Sequence, residues 1–110
     1  MACHLTKRFG GGVSNPSVAD LQSALEELEV EDPEHPDCWL EDEHGWCLSA
    51  FGNGLLILVP RAFVRLHVLM RGVSRAKVLE LWELLKTGKL TEIREHGWQL
   101  GYDSQSKVES

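Results

Sequence analysis

The 110-residue sequence has no apolar run longer than the five residues from Leu55 to Val59. A membrane-spanning helix needs about 20 apolar residues, so no such helix is predicted. The first residues, MACHLTKRFGGG, also lack the apolar segment of a secretory signal, and we therefore expect a cytoplasmic protein. Three cysteines, an odd number, then predict reduced thiols rather than a disulfide framework.

Basic residues are scarce in the first part of the chain. Residues 1–60 contain only Lys7 and Arg8 against eleven acidic side chains, whereas residues 61–110 carry a net charge of +3 within a total of −6. Ten carboxylates and no Lys or Arg lie between Glu26 and Glu43. Such a segment repels nucleic acid and attracts basic surfaces, so no direct nucleic-acid ligand is predicted. A solvated loop that keeps the protein soluble explains the same composition.

The sequence also lacks recognisable catalytic motifs. The glycines at 10–12 are not followed by Lys-Ser or Lys-Thr and do not fit G-x-G-x-x-G, so they predict a flexible turn rather than a phosphate-binding loop. His4 and His67 lie on predicted strands, and no Ser, Asp or Cys is predictably placed beside either one. We therefore predict no enzymatic activity, no catalytic residue and no cofactor.

One stretch, HPDCWLEDEHGWC, contains the pattern H-x-x-C twice, through His35, Cys38, His44 and Cys47. A tetrahedral zinc site requires its four ligands to converge on one point. In the hairpin predicted below, the two cysteines face opposite sides of the sheet and the two histidines lie at opposite ends. We therefore predict no metal site, and a zinc module or metal-dependent enzyme using these four residues is the third hypothesis.

The periodicity predicts one α+β domain over residues 1–102, followed by a disordered polar tail at 103–110. A strand from Cys3 to Phe9 precedes a helix at about 17–29, and the prolines between Val30 and Asp37 indicate an exposed connector. A second helix begins after the N-cap Ser74. Its predicted apolar stripe consists of Val78, Leu81, Trp82 and Leu85.

Between the helices the period changes to two, which predicts an antiparallel meander. A three-residue loop ending at Gly45 pairs Leu40 with Leu48, and a two-residue turn at Asn53-Gly54 pairs Ala50 with Ile57. The predicted apolar face is then Cys38, Leu40, Leu48, Ala50, Leu55, Ile57 and Val59, and the other face is Trp39, Glu41, Cys47, Ser49, Phe51, Leu56 and Leu58.

The segment from Ala62 to Met70 adds a fourth strand to this meander. The predicted fold is thus a four- to five-stranded antiparallel meander sheet with an N-terminal and a C-terminal helix packed mainly on one face. Which face the first helix covers is left open by the sequence. The face that contains Trp39 combines aromatic and acidic residues, as many protein interfaces do.

The order of these segments resembles a family. The helix opened by NPS and reading VADLQSALEELE, the hairpin CWLEDEHGWCLSAFGNGLLILV and the closing helix GVSRAKVLELWELLKTG are similar to the immunity proteins encoded beside bacterial polymorphic and contact-dependent toxins. The resemblance covers roughly residues 5–100 and implies a cytoplasmic, non-catalytic protein that neutralises one cognate toxin domain, often a basic nuclease or deaminase. The cysteine content and the paired H-x-x-C pattern depart from that family.

Carried onto this sequence, the resemblance implies partner contacts in the connector and the hairpin. The candidate partner-binding residues are Glu34, Asp37, Trp39, Glu41, Asp42, Glu43 and His44, together with Phe51 from the same predicted face. An alternative hypothesis is a homodimeric regulatory or scaffold module that uses the Trp39/Phe51/Leu56 face.

Overall fold

The structure, a computed structural model, describes residues 3–60 and 67–100. Its strands are β1 (Cys3–Thr6), β2 (Gly12–Ser14), β3 (Asp37–Asp42), β4 (Trp46–Phe51), β5 (Leu56–Pro60), β6 (Val68–Met70) and β7 (Gln99–Leu100). Its helices are α1 (Val18–Glu27), α2 (Arg75–Lys86) and α3 (Leu90–Arg94). The predicted α+β class is confirmed.

The strands form one antiparallel sheet in the order β2-β1-β3-β4-β5-β6-β7. The predicted four to five strands were too few, because β2 and β7 contain only three and two residues and show no readable alternation. β1 pairs with β2 on one side and with β3 on the other. The predicted first strand is also shorter than expected, since it ends at Thr6.

Both long helices begin where their capping residues predict. At α1 the Ser17 hydroxyl accepts a hydrogen bond from the backbone N–H of Asp20 at 3.2 Å, and the Asp20 carboxylate accepts one from the Ser17 N–H at 2.9 Å. At α2 the Ser74 hydroxyl accepts from the Lys77 N–H at 3.1 Å. These bonds satisfy donors that the first turn of a helix leaves without partners.

The core lies between the helices and one face of the sheet. All four residues of the predicted α2 stripe are buried in it, and the Trp82 indole N–H donates to the backbone carbonyl of Leu48 at 3.0 Å. From α1 and its C-cap residue the core receives Leu21, Ala24, Leu25 and Leu28. From β1, β3, β4 and β5 it receives Cys3, Leu5, Cys38, Leu40, Leu48, Ala50, Leu56 and Leu58. The helices α1 and α2 therefore cover the same face.

The first predicted hairpin is confirmed and the second is shifted by one residue. Leu40 pairs with Leu48 as predicted, and Gly45 has the expected positive φ of 89°. Ala50, however, pairs with Leu56 rather than with Ile57. The turn is a three-residue loop, closed by a hydrogen bond from the Phe51 N–H to the Leu55 carbonyl at 2.9 Å, with Gly54 at a φ of 89°.

The shift exchanges the two sides of β5, because alternate residues of a strand face opposite ways. Leu56 and Leu58 are fully buried in the core, whereas Ile57 and Val59 are half-buried on the opposite face. The predicted core positions of Leu55, Ile57 and Val59 were wrong, as were the predicted positions of Leu56 and Leu58 beside Trp39.

Two predicted segments extend beyond the described residues. Residues 62–66 of the predicted fourth strand and the predicted tail at 103–110 lie outside the described residues. Of the predicted strand, residues 68–70 form β6, whose Val68 and Met70 pair with Leu58 and Leu56. Within the described ranges, no helix is both long enough and apolar enough to cross a bilayer.

Candidate protein-binding surface

The side of the sheet opposite α1 and α2, here called the second face, combines apolar and acidic side chains. It contains Asp37, Trp39 and Glu41 of β3, Cys47, Ser49 and Phe51 of β4, and Ile57 and Val59 of β5. All of these are half-buried except Cys47, which is 7% exposed. In the part of the chain that the structure describes, the helices pack on the other face, so this one has the mixed character of an interface.

The structure places the predicted contact residues along the β3–β4 hairpin. Four of them, Asp37, Trp39, Glu41 and Phe51, share the second face. Glu34 is exposed at one end of the hairpin, and Glu43 and His44 are exposed at the turn at the other end. A six-residue strand at about 3.3 Å per residue separates the two ends by roughly 17 Å, a span that suits a protein partner better than a small molecule.

Asp42 is a correction to the predicted set. It is only 8% exposed, and its Oδ1 accepts hydrogen bonds from the backbone N–H groups of His44 at 2.9 Å and Trp46 at 2.8 Å. These bonds fix the turn between β3 and β4. Because its carboxylate is buried and hydrogen-bonded to the backbone of the turn, we exclude Asp42 from the candidate contacts.

The four residues of the repeated H-x-x-C pattern do not converge. Cys38 is fully buried on the core face, with its Sγ 3.9 Å from the Ala24 carbonyl oxygen, and burial raises the pKa of its thiol to about 12. Cys47 lies on the second face, 3.8 Å from the Ser49 hydroxyl. Among residues 3–60 and 67–100, no three His, Cys, Asp or Glu side chains are grouped as a metal site requires.

Sequence reasoning missed Arg8, which organises the segment between α1 and β3. This segment, residues 28–36, is called the acidic connector; it carries Glu29, Glu31, Asp32 and Glu34. Arg8 is 6% exposed, and its guanidinium donates to the His35 carbonyl at 2.7 and 2.9 Å, to the Val30 carbonyl at 2.6 Å and to the Glu27 carbonyl. One buried cation thus ties the helix end to both ends of the connector.

Lys7 forms an ion pair at the same end of α1. Its Nζ lies 3.2 Å from Oε2 of Glu27, the last residue of α1. The two basic residues of the first half of the chain therefore both hold the start of the acidic connector. The sequence signal was their position: they are the only Lys or Arg residues among the first 60, which contain eleven acidic residues, and they lie at the end of the predicted first strand, outside the acidic run.

Asp37, at the start of β3, is electrostatically distinct from the exposed carboxylates. Burial raises the pKa of its carboxyl, and a hydrogen bond from its own backbone N–H opposes that rise. The described residues provide no ion pair to this side chain. Its carboxylate is therefore partly removed from water without a compensating positive charge, an arrangement that costs folding free energy.

Replacing Asp37 by asparagine is expected to raise the free energy of unfolding at neutral pH. The folded carboxyl has a pKa above the value of about 3.9 in an unfolded chain, so its ionisation weakens folding as the pH rises through the raised pKa. Below about pH 3.9 both states are protonated and the penalty is absent. Urea unfolding of wild type and Asp37→Asn should differ most at about pH 7 and converge at about pH 3.

The control for this prediction is Glu34→Gln, which removes the same charge from an exposed side chain of the acidic connector. Glu34→Gln should leave the neutral-pH stability nearly unchanged. An Asp37→Asn protein that is less stable than wild type at neutral pH would show that the carboxylate has a stabilising partner.

A comparison of the chain with protein-family models, curated proteins and solved structures finds no match.

Proposed function

We propose that this protein is a non-catalytic inhibitor that binds a basic protein domain through the acidic connector and the adjoining second face of its sheet. The observation that carries the proposal is the anchoring of the acidic connector by Arg8. A carboxylate-rich segment that only maintained solubility would need no fixed shape. Here a buried guanidinium holds it beside Trp39 and Asp37, as a preformed binding surface requires.

The charge distribution favours a basic partner. The first 60 residues combine eleven acidic with two basic side chains, and both basic side chains already have partners at the end of α1 or in the acidic connector. Opposite charges on a partner would steer it toward this half of the molecule and raise the association rate by about 10- to 10³-fold at low salt. The half-buried Trp39 and Phe51 supply the aromatic contacts that commonly dominate affinity.

The resemblance to immunity proteins suggests which basic domain this is. We infer a cognate toxin domain, a nuclease or deaminase whose cleft is positively charged because it binds nucleic acid. Binding of the acidic connector in or beside that cleft would exclude the nucleic acid. The protein itself then needs no reactive group, which fits a cytoplasmic protein that protects the cell producing the toxin.

The homodimer alternative is not supported in the form stated above. It required a surface made by Trp39, Phe51 and Leu56, but Leu56 is fully buried on the core face. Light scattering of the purified protein checks this point directly, and a monomer is the expected result.

The test of the proposed function is binding to a basic domain encoded beside this chain. Co-purification is expected, with an affinity that weakens as salt rises from about 50 to about 500 mM. The double variant E31Q/E34Q should slow association by about 3–10-fold, because both carboxylates are exposed on the acidic connector.

The matched control is E80Q/E92Q, which removes two exposed carboxylates from α2 and α3. It makes the same change in net charge on different elements and should leave the association rate almost unchanged. An affinity independent of salt, or equal effects of the two double variants, would contradict the proposed docking surface.

A further inference from the structure

A cavity of about 340 Å³ lies between the turn that follows β1 and the acidic connector, next to the second face. Its walls include the aromatic rings of Phe9, His35 and Trp39 and the carboxylates of Glu34 and Asp37. Phe9 is 61% exposed, although it is a large apolar side chain, and its ring centroid is 5.1 Å from that of His35. This exposure leaves the Phe9 ring accessible to a ligand in the cavity.

The aromatic walls suit a positive charge, because the face of an aromatic ring is electron-rich. The structure already contains one such contact: the guanidinium carbon of Arg8 lies 5.3 Å from the centroid of the Phe9 ring. The Arg8 guanidinium already donates to backbone carbonyls of the acidic connector. Lys7, which also lines the cavity, places its Nζ 3.2 Å from Oε2 of Glu27. Both of these cations therefore have partners, whereas no ion pair within residues 3–60 and 67–100 engages the carboxylates of Glu34 and Asp37.

Asp37 indicates where the charge of a ligand would lie. Its carboxylate is partly desolvated at the cavity wall, and the described part of the chain gives it no cation. A positive group entering the cavity would recover the electrostatic energy that burial of this carboxylate loses. Trp39, the next cavity residue along β3, offers an indole ring beside the same position.

We propose that this cavity receives one arginine side chain of the basic partner, whose guanidinium stacks against Trp39 and Phe9 and pairs with Asp37 and Glu34. A guanidinium fits better than an ammonium, since it is planar, stacks on aromatic rings and donates two parallel hydrogen bonds to a carboxylate. The inference rests on the proposed function, because the basic partner supplies the arginine. It identifies the central contact of that interface.

The experiment uses the isolated protein and small probes. N-acetyl-arginine amide is titrated into the full chain while the backbone amide NMR signals of Phe9, His35, Asp37 and Trp39 are followed. Saturable shifts confined to the cavity are expected. The lysine analogue should bind more weakly, and the neutral citrulline analogue, which has nearly the same shape as arginine, should produce no saturable shift.

Two variants and one control test the assignment of residues. Asp37→Asn and Phe9→Ala should each weaken binding of the arginine probe by about 3–10-fold, and neither removes a core side chain. Glu80→Gln, an exposed carboxylate on α2, should have no effect. The same order of effects is expected when the basic domain replaces the probe.

The outcomes separate this inference from the proposed function. Equal shifts with citrulline and arginine, or an Asp37→Asn protein that binds the probe as wild type does, would overturn the cavity assignment even if a basic domain still bound with salt dependence. A specific arginine response without binding of any basic domain would support the cavity and contradict the proposed function.

Discussion

Replacement of Trp82 by alanine is expected to lower the free energy of unfolding by about 3–5 kcal/mol, the usual cost of removing a large aromatic side chain from a core. Trp82 is fully buried among residues of α1, α2, α3 and the sheet, and its indole N–H donates to the Leu48 carbonyl. A domain of this size has a total stability on the order of 5–15 kcal/mol. The variant should therefore be marginally folded at physiological temperature.

Trp82→Phe separates the two contributions of this side chain. Phenylalanine keeps one six-membered ring but loses the indole N–H, so a smaller cost of about 1–3 kcal/mol is expected. Urea unfolding followed by far-UV circular dichroism measures both variants without relying on tryptophan fluorescence. Losses of less than about 1 kcal/mol for Trp82→Ala would show that the core closes around the missing ring.

Replacement of Arg8 by methionine is expected to cost about 3 kcal/mol and to release the acidic connector. The guanidinium donates to the part-buried carbonyls of Glu27, Val30 and His35, and losing a hydrogen bond between a charged and a neutral group costs about 1 kcal/mol or more. Methionine retains most of the apolar volume of the arginine stem. The loss therefore reports mainly on the hydrogen bonds and the charge.

Arg8→Lys is the matched control, because it keeps the charge but not the planar fork that reaches carbonyls on different sides. An intermediate loss is expected. Hydrogen exchange distinguishes local from global effects: in Arg8→Met the amide of His35, which donates to the Asp32 carbonyl at 3.0 Å, should exchange faster than the amides of the central strands. Unchanged exchange at His35 would show that the connector keeps its shape without Arg8.

The features predicted correctly from sequence were those encoded by a few neighbouring residues. Ser17 and Ser74 mark the starts of α1 and α2 because an N-cap acts within its own turn. The β3–β4 hairpin followed from Gly45 and from the alternation on both sides of it. The β4–β5 hairpin did not, because Asn53-Gly54 fits both a two-residue turn and the end of a three-residue loop.

The features that could not be predicted depend on distant parts of the chain. β2 and β7 are strands only because the edges of an existing sheet provide partners for their backbones. Arg8 contacts carbonyls 19–27 positions away, and no local pattern specifies such contacts. The cavity near Trp39 also depends on this folding, since Phe9 and Asp37 meet there only after β1 and β3 pair.

The residues of the candidate surface were also predicted only in part from the sequence. Alternation along β3 and β4 correctly grouped Trp39, Glu41 and Ser49 on one side of the sheet. It did not reveal that Asp42 would turn its carboxylate toward the backbone of its own loop. Phe9, which borders the cavity from the turn after β1, had no distinguishing signal in its local sequence.

Lys7 and Arg8 bind groups of the protein itself and do not neutralise the exposed carboxylates of the acidic connector, which affects the ions dissolved around it. Arg75 contacts Glu29, but in the described residues Glu31 and Glu34 have no ion pair, so dissolved cations must accumulate around them. A basic protein arriving at this surface would displace those cations into the bulk. The entropy of the released ions would then contribute to complex formation, in the same way that it contributes when basic proteins bind a polyanion.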